Sequence, residues 1–181
     1  MKARILLNTN QISLIIDRLC FQLIENHKDF SNTVIIGVQP RGVFLAQRIV
    51  ERLQQLAPNA NFKYGKLDIT FYRDDFRTSD KPLTAKDTDI DFTIENKRVI
   101  LIDDVLFTGR TIRAALDALL DFGRPDDVEL MVLIDRRLHR HLPIQAKYVG
   151  RIVDSIEEER VLVEWKEENK EDKITMLTQQ K

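Results

Sequence analysis

Apolar positions recur along the chain in two periods, and their alternation predicts strands separated by amphipathic helices. Between Asn10 and Asp29, Ile12, Ile15, Ile16, Leu19, Leu23 and Ile24 fall at helical spacing, with Asn8 or Asn10 as the cap. Thr33–Val38 is a β-branched run that suits a buried strand, and the turn Gln39-Pro-Arg-Gly42 leads into a second helix carrying Val43, Leu45, Ala46, Ile49, Val50 and Leu53. The alternation Phe62, Tyr64, Leu67, Ile69, Phe71 predicts a strand or hairpin arm ending near Tyr72. A polar segment over 73–91 then lacks apolar periodicity and reads as a long exposed loop, a class that is usually functional or disordered. Lys97–Asp103 is the strongest strand signal. Arg110–Phe122 follows as a helix stopped by Gly123 and Pro125, then a strand over Val128–Ile134, an Arg/His-rich turn and a short strand near Tyr148. Arg160–Trp165 and Lys173–Leu177 read as a terminal hairpin. Strands alternating with helices imply an α/β fold with a mostly parallel open sheet flanked by helices, in which ligands bind at the carboxyl ends of the strands. Two places qualify: Val38–Gly42 and Asp103–Thr111.

Composition narrows the class. A length of 181 residues suits one domain spanning 1–181. Fractions of 43% hydrophobic and 31% charged residues exclude a wholly disordered or fibrous chain. The net charge of −1 gives no global field for a polyanion, so any nucleic-acid surface must be a local patch. Cys20 is the single cysteine and is expected to be a buried apolar group with no disulfide. Trp165 is expected to pack in the core and His27 to be a solvated helix-end residue. With no signal-peptide pattern and no apolar run near the ~18 residues a membrane span needs, the chain reads as soluble and cytoplasmic, with no membrane partner.

The segment Val99-Ile-Leu-Ile-Asp-Asp-Val-Leu-Phe-Thr-Gly-Arg-Thr111 carries the chemistry. It sets Asp103 and Asp104 where a buried strand emerges, then Thr108, Gly109 and Thr111 at the start of a helix. A helix N-terminus offers unpaired N–H groups and a partial positive charge, Gly109 lets the backbone approach, and the threonines add hydroxyls, so a phosphate monoester fits. Carboxylates beside a phosphate would repel it unless they face neutral hydroxyls or a divalent cation. A sugar phosphate supplies both partners, whereas in the ligand-free alternative Asp103 caps the strand and Thr108 the helix. A P-loop is excluded because Val43 and Phe44 follow Gly42 where Lys-Ser/Thr is required.

An apolar strand, two acids, three residues, Thr-Gly and another Thr resembles the phosphoribosyl-pyrophosphate-binding motif of type I phosphoribosyltransferases. GVQPRGVFLA from Gly37, LDITFYRDDF from Leu67 and DALLDFGRP from Asp117 narrow the resemblance to the family of bifunctional pyrimidine-operon attenuators and uracil phosphoribosyltransferases. The resemblance implies a type I phosphoribosyltransferase fold with a small hood built from the chain ends. It also implies the reaction of uracil with phosphoribosyl pyrophosphate, giving UMP and pyrophosphate with Mg²⁺, in a homo-oligomer, a dimer or higher. By the same resemblance Asp103 and Asp104 bind the ribose hydroxyls and Mg²⁺, directly or indirectly. Thr108, Gly109, Arg110 and Thr111 then wrap the 5′-phosphate, with Val105, Leu106 and Phe107 before them in the same substrate-binding segment, while Pro40, Arg41 and Gly42 hold the pyrophosphate and Arg136 completes the substrate site. The polar loop becomes a lid whose Arg73 reaches the pyrophosphate on closure, and Gln39–Pro40 suits a cis peptide. Purine-type relatives commonly have an acid where this chain has Phe107, which favours a pyrimidine.

Residues 136–151 carry five basic side chains and no acid, a local patch able to meet the leader RNA of pyrimidine genes. Arg18, Arg140 and Arg151 are the candidate RNA contacts. Leu14, Asp17 and Phe21 depart from the polar and basic positions that RNA-binding members use on the first helix. RRLHRHLPI from Arg136 lacks the glycine expected after that arginine, and Asp154-Ser-Ile156 departs from the family's Pro-containing base-recognition segment. Two alternatives therefore remain: an RNA-binding attenuator with little catalysis, and a transferase for another nucleobase.

Overall fold

A computed structural model describes residues 2–74, 87–156 and 159–178. The first helix, α1 (Thr9–His27), starts with a capping box: Asn8 Oδ1 accepts from the Gln11 N–H at 2.9 Å while Gln11 Oε1 accepts from the Asn8 N–H at 3.0 Å. Strand β2 (Thr33–Val38) and helix α2 (Gly42–Leu56) follow, then β3 (Lys63–Leu67), β4 (Arg98–Leu106), α3 (Arg110–Leu119), β5 (Asp127–Arg136) and β6 (Tyr148–Val153). The five strands β2 to β6 form one parallel sheet in the order β3-β2-β4-β5-β6. Both faces are covered, which is why every residue of β2 is buried. One core holds α1 and α2 with Ile35, Ile100, Ile102 and Leu133. The other holds α3 with Ile36, Val99, Leu101 and Val132.

The chain ends build the hood. β1 (Lys2–Leu7), β7 (Glu159–Glu164) and β8 (Lys173–Thr178) form an antiparallel sheet in the order β1-β8-β7, closed onto the first core by fully buried Trp165 and Ile174. Arg48 stacks over the Trp165 ring at 4.5 Å and bonds Asp172 at 2.8 Å, fixing α2 to this sheet.

Three expectations change, and a fourth falls largely outside the described residues. β3 stops at Leu67 and pairs in parallel with β2, because Asp68 Oδ1 accepts from the Thr70 hydroxyl at 2.8 Å and turns the chain into a 3-10 turn over Thr70–Tyr72. The loop read over 73–91 is only partly described: residues 75–86 lie outside the described residues, and Asp89 bridges antiparallel to Lys66. β4 continues three residues beyond Asp103, since Asp103, Val105 and Leu106 pair with Val132, Ile134 and Asp135. His27 is buried rather than solvated. Its Nδ1 lies 3.0 Å from Thr33 Oγ1 and its Nε2 2.9 Å from Glu129 Oε2, and the Tyr148 hydroxyl donates to the same carboxylate oxygen at 2.7 Å. Lys147 also bonds Glu129, so the cluster ties α1 to the starts of β2, β5 and β6.

Candidate active site

β2 and β4 are neighbours and both are followed by helices, so the first turns of α2 and α3 meet above the carboxyl ends of the sheet. Gln39–Pro40 is cis, and α2 begins at Gly42. A Cβ at Gly42 would lie 2.5 Å from the Ile102 carbonyl oxygen and 2.8 Å from Asp103 Cα, so only glycine lets α2 rest on β4 at this height. The contact sets Arg41 beside the acids: its Nε is 3.4 Å from Asp104 Oδ2, is itself buried, and has no hydrogen-bond partner among the described residues.

Asp103 and Asp104 are both buried, and Asp103 Oδ1 accepts the Asp104 N–H at 2.9 Å. Burial first, and then the neighbouring Asp104 carboxylate, holds the Asp103 carboxyl well above the ordinary carboxylate range. Burial also raises Asp104, against the opposing pull of the Arg41 guanidinium and the Val105 N–H. Asp104 is the member of the pair that faces Arg41.

Val105 and Leu106 stay in the ladder, and Leu106 points into the core, so the exposed part of the motif starts at Phe107. Gly109 sits at φ +92° as the cap of α3, which places the first-turn amides of the helix around one point. The N–H groups of Thr108, Gly109, Thr111 and Ile112 have no hydrogen-bond partner among the described residues; the Arg110 N–H makes a long 3.4 Å contact with Thr108 Oγ1.

Arg110 and Arg113 both bond Asp74, and Arg113 Nη2 donates to the Tyr72 carbonyl oxygen at 3.3 Å. The stem that carries Arg73 is thereby joined to α3; the lid expected beyond it falls mostly outside the described residues. Arg113 is a contact the sequence reading did not single out, although its spacing of three from Arg110 puts both on one helix face.

Arg136 lies over the Phe107 ring at 3.8 Å and is buried; its Nε donates to Ser155 Oγ at 2.8 Å and its Nη2 to the Glu159 carbonyl oxygen at 2.8 Å. It thus joins the motif after β4 to the hood. Between them opens a cavity of about 330 Å³ lined by Phe107, Thr108, Arg136, His139, His141, Glu159 and Arg160. Glu159 uses its carboxylate on the Ile156 N–H and the Thr178 hydroxyl, so the side chains left to face a ligand are mainly donors.

The three RNA candidates each bond a backbone carbonyl, while Arg18 and Arg151 stay exposed. Arg18 donates to the Gly150 carbonyl oxygen at 2.6 Å and Arg151 to that of Leu6 at 2.7 Å, while Arg140 bonds Asp135 and the Phe107 carbonyl oxygen. Among the described residues no group of three or more His, Cys, Asp or Glu side chains could hold a metal alone, and no helix is long and apolar enough to cross a membrane.

Residues 3–168 match the family described as the phosphoribosyl transferase domain. Curated relatives named bifunctional protein PyrR, from Bacillus cereus strain B4264 and Bacillus anthracis strain CDC 684 / NRRL 3495, are 42% identical over 174 residues, covering 95% of this chain and 96% of theirs. A hypoxanthine phosphoribosyltransferase from Staphylococcus aureus superposes with a TM-score of 0.65 at 23% identity, over 83% of this chain and 77% of that one. The hypoxanthine phosphoribosyltransferase of Trypanosoma cruzi superposes with a TM-score of 0.66 at 18% identity, over 83% and 81% of the two chains. These structures share the fold.

Proposed function

The chain belongs to the phosphoribosyltransferase family and, within it, to the PyrR proteins, and from that membership we propose that it transfers the phosphoribosyl group of phosphoribosyl pyrophosphate to uracil, releasing pyrophosphate and UMP. The observation that carries the reading is the arrangement of one crevice: unpartnered amides at Thr108, Gly109, Thr111 and Ile112 stand beside the buried Asp103–Asp104 pair, with Arg41 across from Asp104. The amides and the Thr108 and Thr111 hydroxyls take the 5′-phosphate, and the acids accept from the two ribose hydroxyls. Arg41 and the first turn of α2 hold the pyrophosphate, joined by Arg73 from the stem after Tyr72.

Uracil N1 forms the new bond to the anomeric carbon as the bond to pyrophosphate breaks, and the N1 proton of uracil leaves on the pyrophosphate. Positive charge grows on the ribose ring in that step. The ionised Asp104 stabilises it, and the hood excludes water from it. Catalysis is positioning and electrostatics, with no side-chain nucleophile. Mg²⁺ fits the donor set, because Asp103 and Asp104 present hard oxygen atoms and this ion is usually held by one or two carboxylates plus substrate oxygens. Bound there, it would supply charge neutralisation to the pyrophosphate.

Base choice rests on the cavity beside Thr108. Its donors, Arg136 above all, suit the two carbonyl oxygens of uracil better than an amino-bearing base, and Phe107 has no atom able to exchange a proton with a purine. Pyrophosphate release is followed with uracil, hypoxanthine, guanine, xanthine and orotate. Turnover confined to uracil supports the reading; turnover with another base alone replaces it.

Relatives named bifunctional favour a second role as a UMP-responsive regulator that binds the leader RNA of pyrimidine genes. Gel shifts against such RNA test it: binding tightened by UMP supports regulation, and no binding at low salt removes it.

A further inference from the structure

The turn after β5 crosses back over the motif after β4 and bonds to it at successive carbonyls. The Arg140 guanidinium rests on the Asp135 carboxylate and donates through Nη1 to the Phe107 carbonyl oxygen. The N–H groups of His141 and Leu142 donate to the Thr108 carbonyl oxygen at 3.0 and 3.2 Å. A trans peptide unit is planar, with its C=O and N–H opposed. Holding the carbonyls of Phe107 and Thr108 on the side of residues 140–142 therefore turns the N–H groups of Thr108 and Gly109 to the other side, where neither has a partner among the described residues. Either peptide unit, if it turned over, would present a carbonyl oxygen to an incoming phosphate and repel it. The glycine at φ +92° makes such a turn easy for the backbone alone, so the restraint has to come from outside the motif.

We infer that Arg140, together with the His141 and Leu142 amides, is a positioning element for phosphoribosyl pyrophosphate, holding the Thr108 and Gly109 amides toward its 5′-phosphate. The inference rests on the phosphoribosyl-transfer reading above. It gives Arg140 work inside the enzyme, where its place in a basic segment suggests RNA. One guanidinium reaches both Asp135 and Phe107 because it carries several donors in a fixed fork, which a lysine ammonium lacks.

Arg140→Met tests it, with Asp135→Asn/Arg140→Met as a companion that leaves no unpaired carboxylate should the single variant fold poorly. The expected result is a rise of about tenfold or more in KM for phosphoribosyl pyrophosphate, as for loss of a charged group's hydrogen bond. The kcat and the uracil KM should stay within about threefold, the mark of lost binding rather than lost chemistry. Arg140→Lys should fall between the wild type and Arg140→Met. A merely structural role would disturb both substrates together, and that result overturns the inference. Equal calorimetric affinity of wild type and both variants for phosphoribosyl pyrophosphate overturns it too, and leaves phosphoribosyl transfer standing. A wild type that does not bind this compound overturns both. Weakened leader-RNA binding with the donor KM unchanged assigns Arg140 to RNA instead.

Discussion

Gly42 and Asp103 touch: a methyl group on Gly42 would stand 2.8 Å from the Asp103 Cα and 2.5 Å from the preceding carbonyl oxygen. The glycine that opens α2 is therefore a packing requirement that sets the spacing between Arg41 and the acidic pair. Gly42→Ala should lower stability by about 1–3 kcal/mol, the usual cost of overpacking, and reduce turnover more than a surface change of equal stability cost. Urea unfolding and pyrophosphate release measured on the same preparation check this. A variant with unchanged stability and rate would show that α2 can move away freely.

Asp103 carries a stability penalty at neutral pH. Its folded-state carboxyl titrates well above the ordinary range, chiefly from burial and then from Asp104, so the folded chain holds that proton more tightly than the unfolded chain. The stability this contributes is complete below the unfolded pKa of ~3.9 and disappears as pH rises through the raised folded value. At neutral pH, Asp103→Asn should raise Tm, by about 2–4 °C per kcal/mol recovered for a chain of this size, while turnover falls. Melting curves at acid and neutral pH decide it: the gain must shrink toward low pH.

Asp104 is the member of the pair that faces Arg41, and the proposed reaction calls on its charge for chemistry rather than for folding. Asp104→Asn should lower turnover by about a hundredfold or more, as for other removals of a group that stabilises transition-state charge, with Tm preserved. Wild-type rates in a well-folded variant would remove Asp104 from the site.

The His27 cluster acts on the other end of the sheet. Thr33, Glu129 and Tyr148 lie at or near the starts of β2, β5 and β6, whereas the acids lie toward the end of β4. His27→Ala leaves Glu129 short of a buried partner and should cost about 3 kcal/mol, while KM for phosphoribosyl pyrophosphate stays within about twofold. A change in KM without a loss of stability would reverse this assignment.

Cys20 is buried, and burial pushes its thiol up to about 12. Its reaction with a thiol reagent at pH 8 should be negligible until denaturant is added, since only the thiolate reacts. Fast native labelling would show that α1 opens.

The strands and helices that form around local periodicity were legible in the chain: α1 and its Asn8 cap, β2, β5 and the terminal hairpin. The acidic pair and the Thr-Gly turn were legible because strand end, acids and helix start lie within 13 consecutive residues of Val99–Thr111. What sequence could not yield depends on partners far along the chain. His27 read as solvated because Glu129, 102 residues away, is invisible to helical spacing. Arg140 read as part of a basic patch because its acceptor on Phe107 lies 33 residues upstream. β3 read as too long because Asp68, a polar residue among alternating apolar ones, ends the strand through a side-chain bond that periodicity does not register.

The central claim is that main-chain amides at the start of α3 hold the 5′-phosphate beside two acids that hold the pentose. Titrating the isotopically labelled protein with ribose 5-phosphate and following each backbone amide by NMR tests it most directly. The amides of Thr108, Gly109, Thr111 and Ile112 should show the largest shifts and saturate together, with Asp104→Asn weakening the effect. If those four amides stay unmoved while shifts gather elsewhere on the chain, the account is contradicted.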